Sequence, residues 1–115
     1  SQRDNIETAK FLIEKGADVN EKGLAGRTCL MLAVEYGQID TAKFLIEKGA
    51  NVNEKDNNGY TSLSIVAEKG LVNIVQLLIE KGADVNAAIA GLENSIAKFP
   101  QYADAPKAGI KLLRK

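Results

Sequence analysis

The segment TAKFLIEKGA occupies residues 8–17 and returns letter for letter at residues 41–50. The likeness extends outward on both sides. Residues 6–22 and 39–55 differ only where Glu7 faces Asp40 and where Asp18 faces Asn51. A looser third copy, VNIVQLLIEKGADVN, spans residues 72–86, and Gly16, Gly49 and Gly82 stand 33 residues apart each time. A fixed period of that length marks a chain built from stacked repeats, each the packing partner of the next.

Two full copies result from this register, at residues 23–55 and 56–88, with a partial copy at 1–22 and an unrelated stretch at 89–115. Each full copy opens with a turn, LAG at 24–26 and DNNG at 56–59, where Asp and Asn side chains bond nearby backbone and Gly accepts a positive φ. A short apolar helix comes next, TCLMLAVEYG at 28–37 and TSLSIVAEKG at 61–70. Thr28 and Thr61 are suited to cap its first turn, and Gly37 and Gly70 to end it. A longer helix runs from about Ile39 to Lys48 and from about Val72 to Lys81. Ile39, Ala42, Leu45 and Ile46 form its apolar stripe, widened by Phe44, while Asp40, Lys43, Glu47 and Lys48 take the wet face. The segments ANVN and ADVN read as extended connectors closed by Asn53 and Asn86, as Asn20 closes the partial copy. Neither helix of a copy can bury its stripe alone, so the expected fold is an all-α repeat solenoid of stacked helix-turn-helix units.

With these residues in place, the chain resembles the ankyrin repeat family. The family pattern sets a Gly-ended turn before Thr-Pro-Leu-His, then Ala-Ala and Gly, then an apolar helix closing on Gly-Ala-Asp-Val-Asn. The chain offers GRTCLMLAVEYGQIDTAKFLIEKGANVN and GYTSLSIVAEKGLVNIVQLLIEKGADVN, and the resemblance covers about residues 1–88. It implies hairpin-like connectors between helix pairs. The Pro and His of the pattern are replaced by Cys29 and Met31 in one copy and by Ser62 and Ser64 in the next. Losing a pre-organised Pro and a tethering His implies looser helix N-termini. In the partial copy, Asp4 stands where Gly37 and Gly70 stand in the others.

Residues 89–115 do not continue the pattern. Ile89, Leu92, Ile96 and Phe99 fall on one helix face that Pro100 ends. Asp104 is placed to cap a last helix containing Ala105, Gly109, Leu112 and Leu113. This stretch reads as a divergent helical cap over the last repeat, with an independent interaction segment as the alternative. At the other end, the helix starting near Ile6 lacks a partner, so Ile6, Ala9, Leu12 and Ile13 are expected to be less buried than Ile39, Ala42, Leu45 and Ile46. That expectation implies a longer array, or self-association through this open N-terminal face.

Composition narrows the function. Fifteen basic and fifteen acidic residues balance, so no strong field points to a nucleic acid or an anionic membrane. Apolar runs fall short of the roughly 18 residues of a membrane span. The chain has no histidine and one cysteine, which leaves no Cys–His or Ser–His pair and no ordinary zinc ligand set. Cys29 reads as a small residue packed between repeats. No cofactor, metal site or catalytic group is expected, and the resemblance implies that the partner is another protein.

The resemblance implies that turn tips and the exposed side of the first helix form a concave binding strip. Carried over position by position, the strip holds Leu24, Ala25, Arg27, Glu35 and Tyr36 in one copy. Asn57, Asn58, Tyr60, Glu68 and Lys69 hold the same places in the next. Four of these five places differ between the two full copies, and only Glu35 and Glu68 agree. Tyr36, Tyr60 and Arg27 are of the types that dominate binding hot spots. A structural or self-association segment is the alternative function.

Overall fold

A computed structural model of the chain describes residues 7, 11, 14–16 and 18–114. Asp4, Ile6, Ala9, Leu12 and Ile13, on which the expectation of an unpartnered first helix rests, lie outside them. Glu7, Phe11 and Glu14 are helical. Helices α1 (Cys29–Glu35) and α2 (Ile39–Glu47) form one pair, and α3 (Ser62–Lys69) and α4 (Val72–Glu80) the next. Helices α5 (Val85–Lys98) and α6 (Asp104–Leu113) come last, joined through a 3-10 turn at Pro100–Tyr102.

Local chemistry fixes the helix ends. The Thr28 hydroxyl accepts the Met31 N–H at 3.3 Å, and the Thr61 hydroxyl accepts the Ser64 N–H at 3.3 Å. At the far ends Gly37 and Gly70 turn the chain at φ 71° and 72°. Behind them the Gln38 N–H reaches the Ala33 carbonyl, and the Leu71 N–H the Val66 carbonyl. Carbonyls that the last turn would leave unpaired are thereby satisfied.

Packing then assembles the pairs. Helix α1 lies on α2 and α3, and α3 is surrounded by α1, α4, α5 and α6. Leu30, Val34, Ala42, Leu45, Leu63, Val66, Ile74, Leu78 and Leu92 belong to one continuous core. As the spacing requires, Ala42 and Leu45 are buried, Ile39 and Ile46 half-buried, and Lys43 and Glu47 exposed.

Asparagine side chains tie one copy to the next. Asn20 Nδ2 donates to the Gly49 carbonyl at 3.0 Å, and its Oδ1 accepts the Asn51 N–H at 2.6 Å. One repeat later, Asn53 makes the same pair of bonds to the Gly82 carbonyl and the Asp84 N–H, at 3.2 and 2.7 Å.

Three expectations are corrected here. The ADVN segment at 83–86 is not an extended connector throughout, because Val85 and Asn86 already belong to α5. No further copy succeeds it to take Asn86 into the ladder. Instead the Asp84 carboxylate accepts the Ala87 N–H at 3.1 Å and starts the helix four residues before Ile89. Asp104 is the first residue of α6 and makes no side-chain cap bond. Its charge still sits in the first turn, where the helix dipole favours an anion.

The loose N-termini implied by the missing Pro and His are not general either. At α3 the Ser64 hydroxyl accepts the Thr61 N–H at 3.2 Å, completing a reciprocal box. The same hydroxyl donates to the Ala88 carbonyl at 3.1 Å, tethering α3 to α5. Ser64 thus performs the tether that the family His would supply. Met31, at the matching place in α1, is fully buried and apolar.

The C-terminal helices approach α3 and the turn before it closely through two glycines. A Cβ on Gly91 would stand 2.6 Å from the Gly59 carbonyl oxygen. A Cβ on Gly109 would meet the Glu68 nitrogen at 3.0 Å and Leu92 Cδ1 at 3.1 Å. Helices α5 and α6 therefore pack on α3, whose residues Thr61 to Ala67 are all buried among α1, α4, α5 and α6. On the outer helix α4, Val72 and Ile79 remain 46% and 43% exposed.

Candidate partner-binding surface

Two turns carry the tips of the expected strip. In the second, the Asp56 carboxylate accepts the N–H groups of Asn58 and Tyr60 at 2.8 and 2.9 Å, and Gly59 takes φ 81°. Asp56 is consequently buried while Asn57 and Asn58 point outward, both exposed. In the first turn Ala25 and Gly26 take successive positive φ values, 61° and 75°. That conformation costs a non-glycine residue of order 1 kcal/mol or more, so it is held by its surroundings. Part of the hold is the Asn57 N–H donating to the Ala25 carbonyl at 3.0 Å. A Cβ on Gly26 would stand 2.5 Å from Asn57 Oδ1, so the tips touch only because residue 26 is glycine. Leu24 is left 95% exposed beside them.

Below the tips, Arg27 is not a free side chain. Its guanidinium pairs with Glu35 at 2.7 Å and with Asp56 at 3.6 Å, linking the two copies. Burial alone would lower its pKa, but the bond and charge of Glu35 and the charge of Asp56 outweigh it and raise the value. Tyr60 is likewise half-buried, resting on the core. Burial raises its phenol pKa. Ser95 opposes that rise through a hydrogen bond, while Glu68 and Asp56 reinforce it. Arg27 and Tyr60 therefore serve the packing of the stack as well as lining its surface.

The expected residues sort into groups. Arg27, Tyr60 and Glu68 come together and line two adjoining grooves. One, of about 230 Å³, adds Asp56 and Asn58 from the turn and Asn94, Ser95, Lys98 and Phe99 from α5 and its end. The other, of about 270 Å³, adds Glu35, Ile65, Lys69 and Ala105. Leu24, Ala25, Tyr36 and Asn57 lie outside both. The contribution of α5 and α6 is not readable from the repeats, because no period aligns them with the other helices. The apolar face of Ile89, Leu92, Ile96 and Phe99 is the available signal. A third groove of about 390 Å³, between the loops at Gly37–Ile39 and Gly70–Ile74, has no charged side chain in its lining.

Cys29 departs from expectation, since it is exposed and not packed between repeats. Its counterpart Ser62 is 2% exposed. Among the described residues α3 packs against α1, α4, α5 and α6, whereas α1 packs against α2 and α3. Among the described residues no group of three His, Cys, Asp or Glu side chains is placed to hold a metal, and no helix is long and apolar enough to cross a membrane.

Paired helices, glycine-ended and joined by turns that hydrogen-bond from copy to copy, define a helical repeat stack. Residues 1–89 match the family model for ankyrin repeats in three copies, and the chain belongs to the ankyrin repeat family. A comparison with curated proteins returned no match. Ankyrin repeats are generally protein–protein interaction modules, and the family is typically non-enzymatic.

Proposed function

We propose that the chain is a non-catalytic protein-binding module whose partner lies along the concave strip formed by the turn tips and the first helices. The observation that carries this reading is the set of exposed polar side chains, Asn57 at the tip and Asn58 and Lys69 at grooves lined by Tyr60 and by Arg27, itself paired with Glu35 and Asp56. A rigid, internally paired floor under adaptable rim groups favours recognition of a folded surface, since little ordering is needed on binding. The strip extends onto the cap through Asn94, Lys98 and Phe99, the last 50% exposed.

The test is affinity for a partner isolated with the full chain. Alanine at Asn57, Asn58 or Lys69 is expected to weaken binding by more than about 1 kcal/mol at one position at least. Lys43→Ala and Glu47→Ala, on the outer helix, are expected to leave it unaltered. Sensitivity centred on Lys43 and Glu47 would overturn the assignment.

A further inference from the structure

The two adjoining grooves share Arg27, Tyr60 and Glu68, and the charges that line them differ in how far they are already engaged. Every acid in the linings is held from within. Asp56 accepts two backbone N–H groups and pairs with Arg27, Glu35 pairs with Arg27 at 2.7 Å, and Glu68 hydrogen-bonds the Tyr60 hydroxyl. Lys98 in one groove and Lys69 in the other are exposed. Neither has an ion-pair or hydrogen-bond partner among the described residues. Beside Lys98 stands the half-exposed ring of Phe99, and Tyr102, at the end of the 3-10 turn that follows, is 72% exposed. Binding surfaces are enriched in aromatic side chains relative to the rest of a protein's exterior.

We propose, building on the concave-strip reading above, that the occupant of these grooves is an acidic loop of a folded partner protein. One carboxylate pairs with Lys98, an apolar side chain beside it lies on Phe99, and a second carboxylate reaches Lys69. Covering an ammonium group without giving it an anion is unfavourable, because the charge loses its water and gains nothing in return. The acids of the grooves are bound to Arg27, Tyr60 and the turn backbone, so the anion comes from the partner. A basic loop would meet both lysines as like charges and find every lining acid already engaged, which selects against it.

Disulfide-closed peptide loops, selected from a random library on the full chain and then synthesised, test this. Winners should carry Asp or Glu next to an aromatic or aliphatic residue. Exchanging those acids for their amides should weaken binding about tenfold or more, the effect of losing a charge pair at a binding surface. Lys98→Glu should do the same, and a loop whose acid is replaced by lysine should regain affinity for that variant. The circular dichroism of Lys98→Glu should match the parent, since Lys98 is exposed. Basic or neutral winners, no winners, or acidic winners indifferent to Lys98→Glu would each overturn the proposal. Asn57→Arg, at the tip of the strip, separates the two readings. Winners that lose affinity to it while ignoring Lys98→Glu defeat the acidic loop alone, whereas winners indifferent to both defeat the strip as well.

Discussion

Helices α1 and α3 hold the same place in successive copies, yet they live in different surroundings. Every residue of α3 from Ser62 to Ala67 is buried, whereas α1 alternates, with Cys29 and Leu32 exposed between buried Leu30, Met31 and Ala33. Their sequences do not account for this, because Ser62 is the more polar of the pair it forms with Cys29. Position in the stack does. A repeat helix acquires its burial from its two neighbours, and removing one leaves half its surface wet. The outer helices show the same gradient along the chain, from Phe11 at 59% exposed, through half-buried Phe44, to Leu77 at 7%.

Deleting residues 104–115 should break the contrast most severely, by giving α3 the open side that α1 already has. Pro106, Gly109, Ile110 and Leu113 are buried by this helix. At about 25 cal/mol per Å² of apolar surface returned to water, the loss is several kcal/mol by order of magnitude. Denaturant unfolding would report it as a lower midpoint. An unchanged midpoint would show that α3 does not depend on the helix lying over it.

Substitutions at the two close-approach glycines are a finer probe. Gly91→Ala sets a methyl against backbone that cannot yield, so a loss of about 1–3 kcal/mol is expected. Gly109→Ala meets the Glu68 backbone nitrogen at 3.0 Å, the Leu92 methyl at 3.1 Å and the Ala67 backbone at 3.2 Å, all less tight than the 2.6 Å at Gly91. The gain in helix propensity, close to 1 kcal/mol, should offset most of the cost there. Equal effects at both glycines would argue that the cap seats elsewhere.

Smaller again is the capping difference. Ser64→Ala removes the box at α3 and the tether to the Ala88 carbonyl, for about 1–2 kcal/mol. Asn53→Ala, which loses both bonds to the following copy, should cost about 1 kcal/mol by thermal melting. Asn86→Ala should lie within about 0.5 kcal/mol, because that residue has no next copy to bond. Smallest is a pH effect. Burial holds the Tyr60 phenol above its ordinary 10.0, so the folded state keeps a proton that the unfolded chain releases. That contribution is complete below pH 10 and is lost as pH climbs through the raised folded value. The Tyr60→Phe variant should show a weaker fall in alkaline stability.

How much the sequence discloses depends on the range of the signal. Caps at Thr28 and Thr61, stops at Gly37 and Gly70 and the apolar stripe of α2 are written within a few residues of where they act. The glycine-rich closure shows the limit. GANVN at 49–53 is a connector, while GADVN at 82–86 is half helix, because the conformation of its last residues is set by the segment C-terminal to it. Arg27 reads as an exposed hot spot for a similar reason. Its ion partners Glu35 and Asp56 are 8 and 29 residues away, and only the fold brings them together. Cys29 reads as buried because burial at its place depends on the helix packed against it, as the 2% exposure of Ser62 shows, and not on its own residue type. The candidate surface is legible at its tips and not at its cap wall, which no repeat encodes.

Thiol reactivity at the matched positions tests the contrast between α1 and α3 most directly. The native Cys29 would be compared with Ser62→Cys placed in a Cys29→Ser chain. Cys29 should react with a disulfide reagent at close to the rate of the unfolded chain. The thiol at position 62 should be protected by about a hundredfold or more, opening only with the local unfolding that exposes it. Equal rates at the two sites would contradict the view that α1 presents an open stacking face and α3 a closed one.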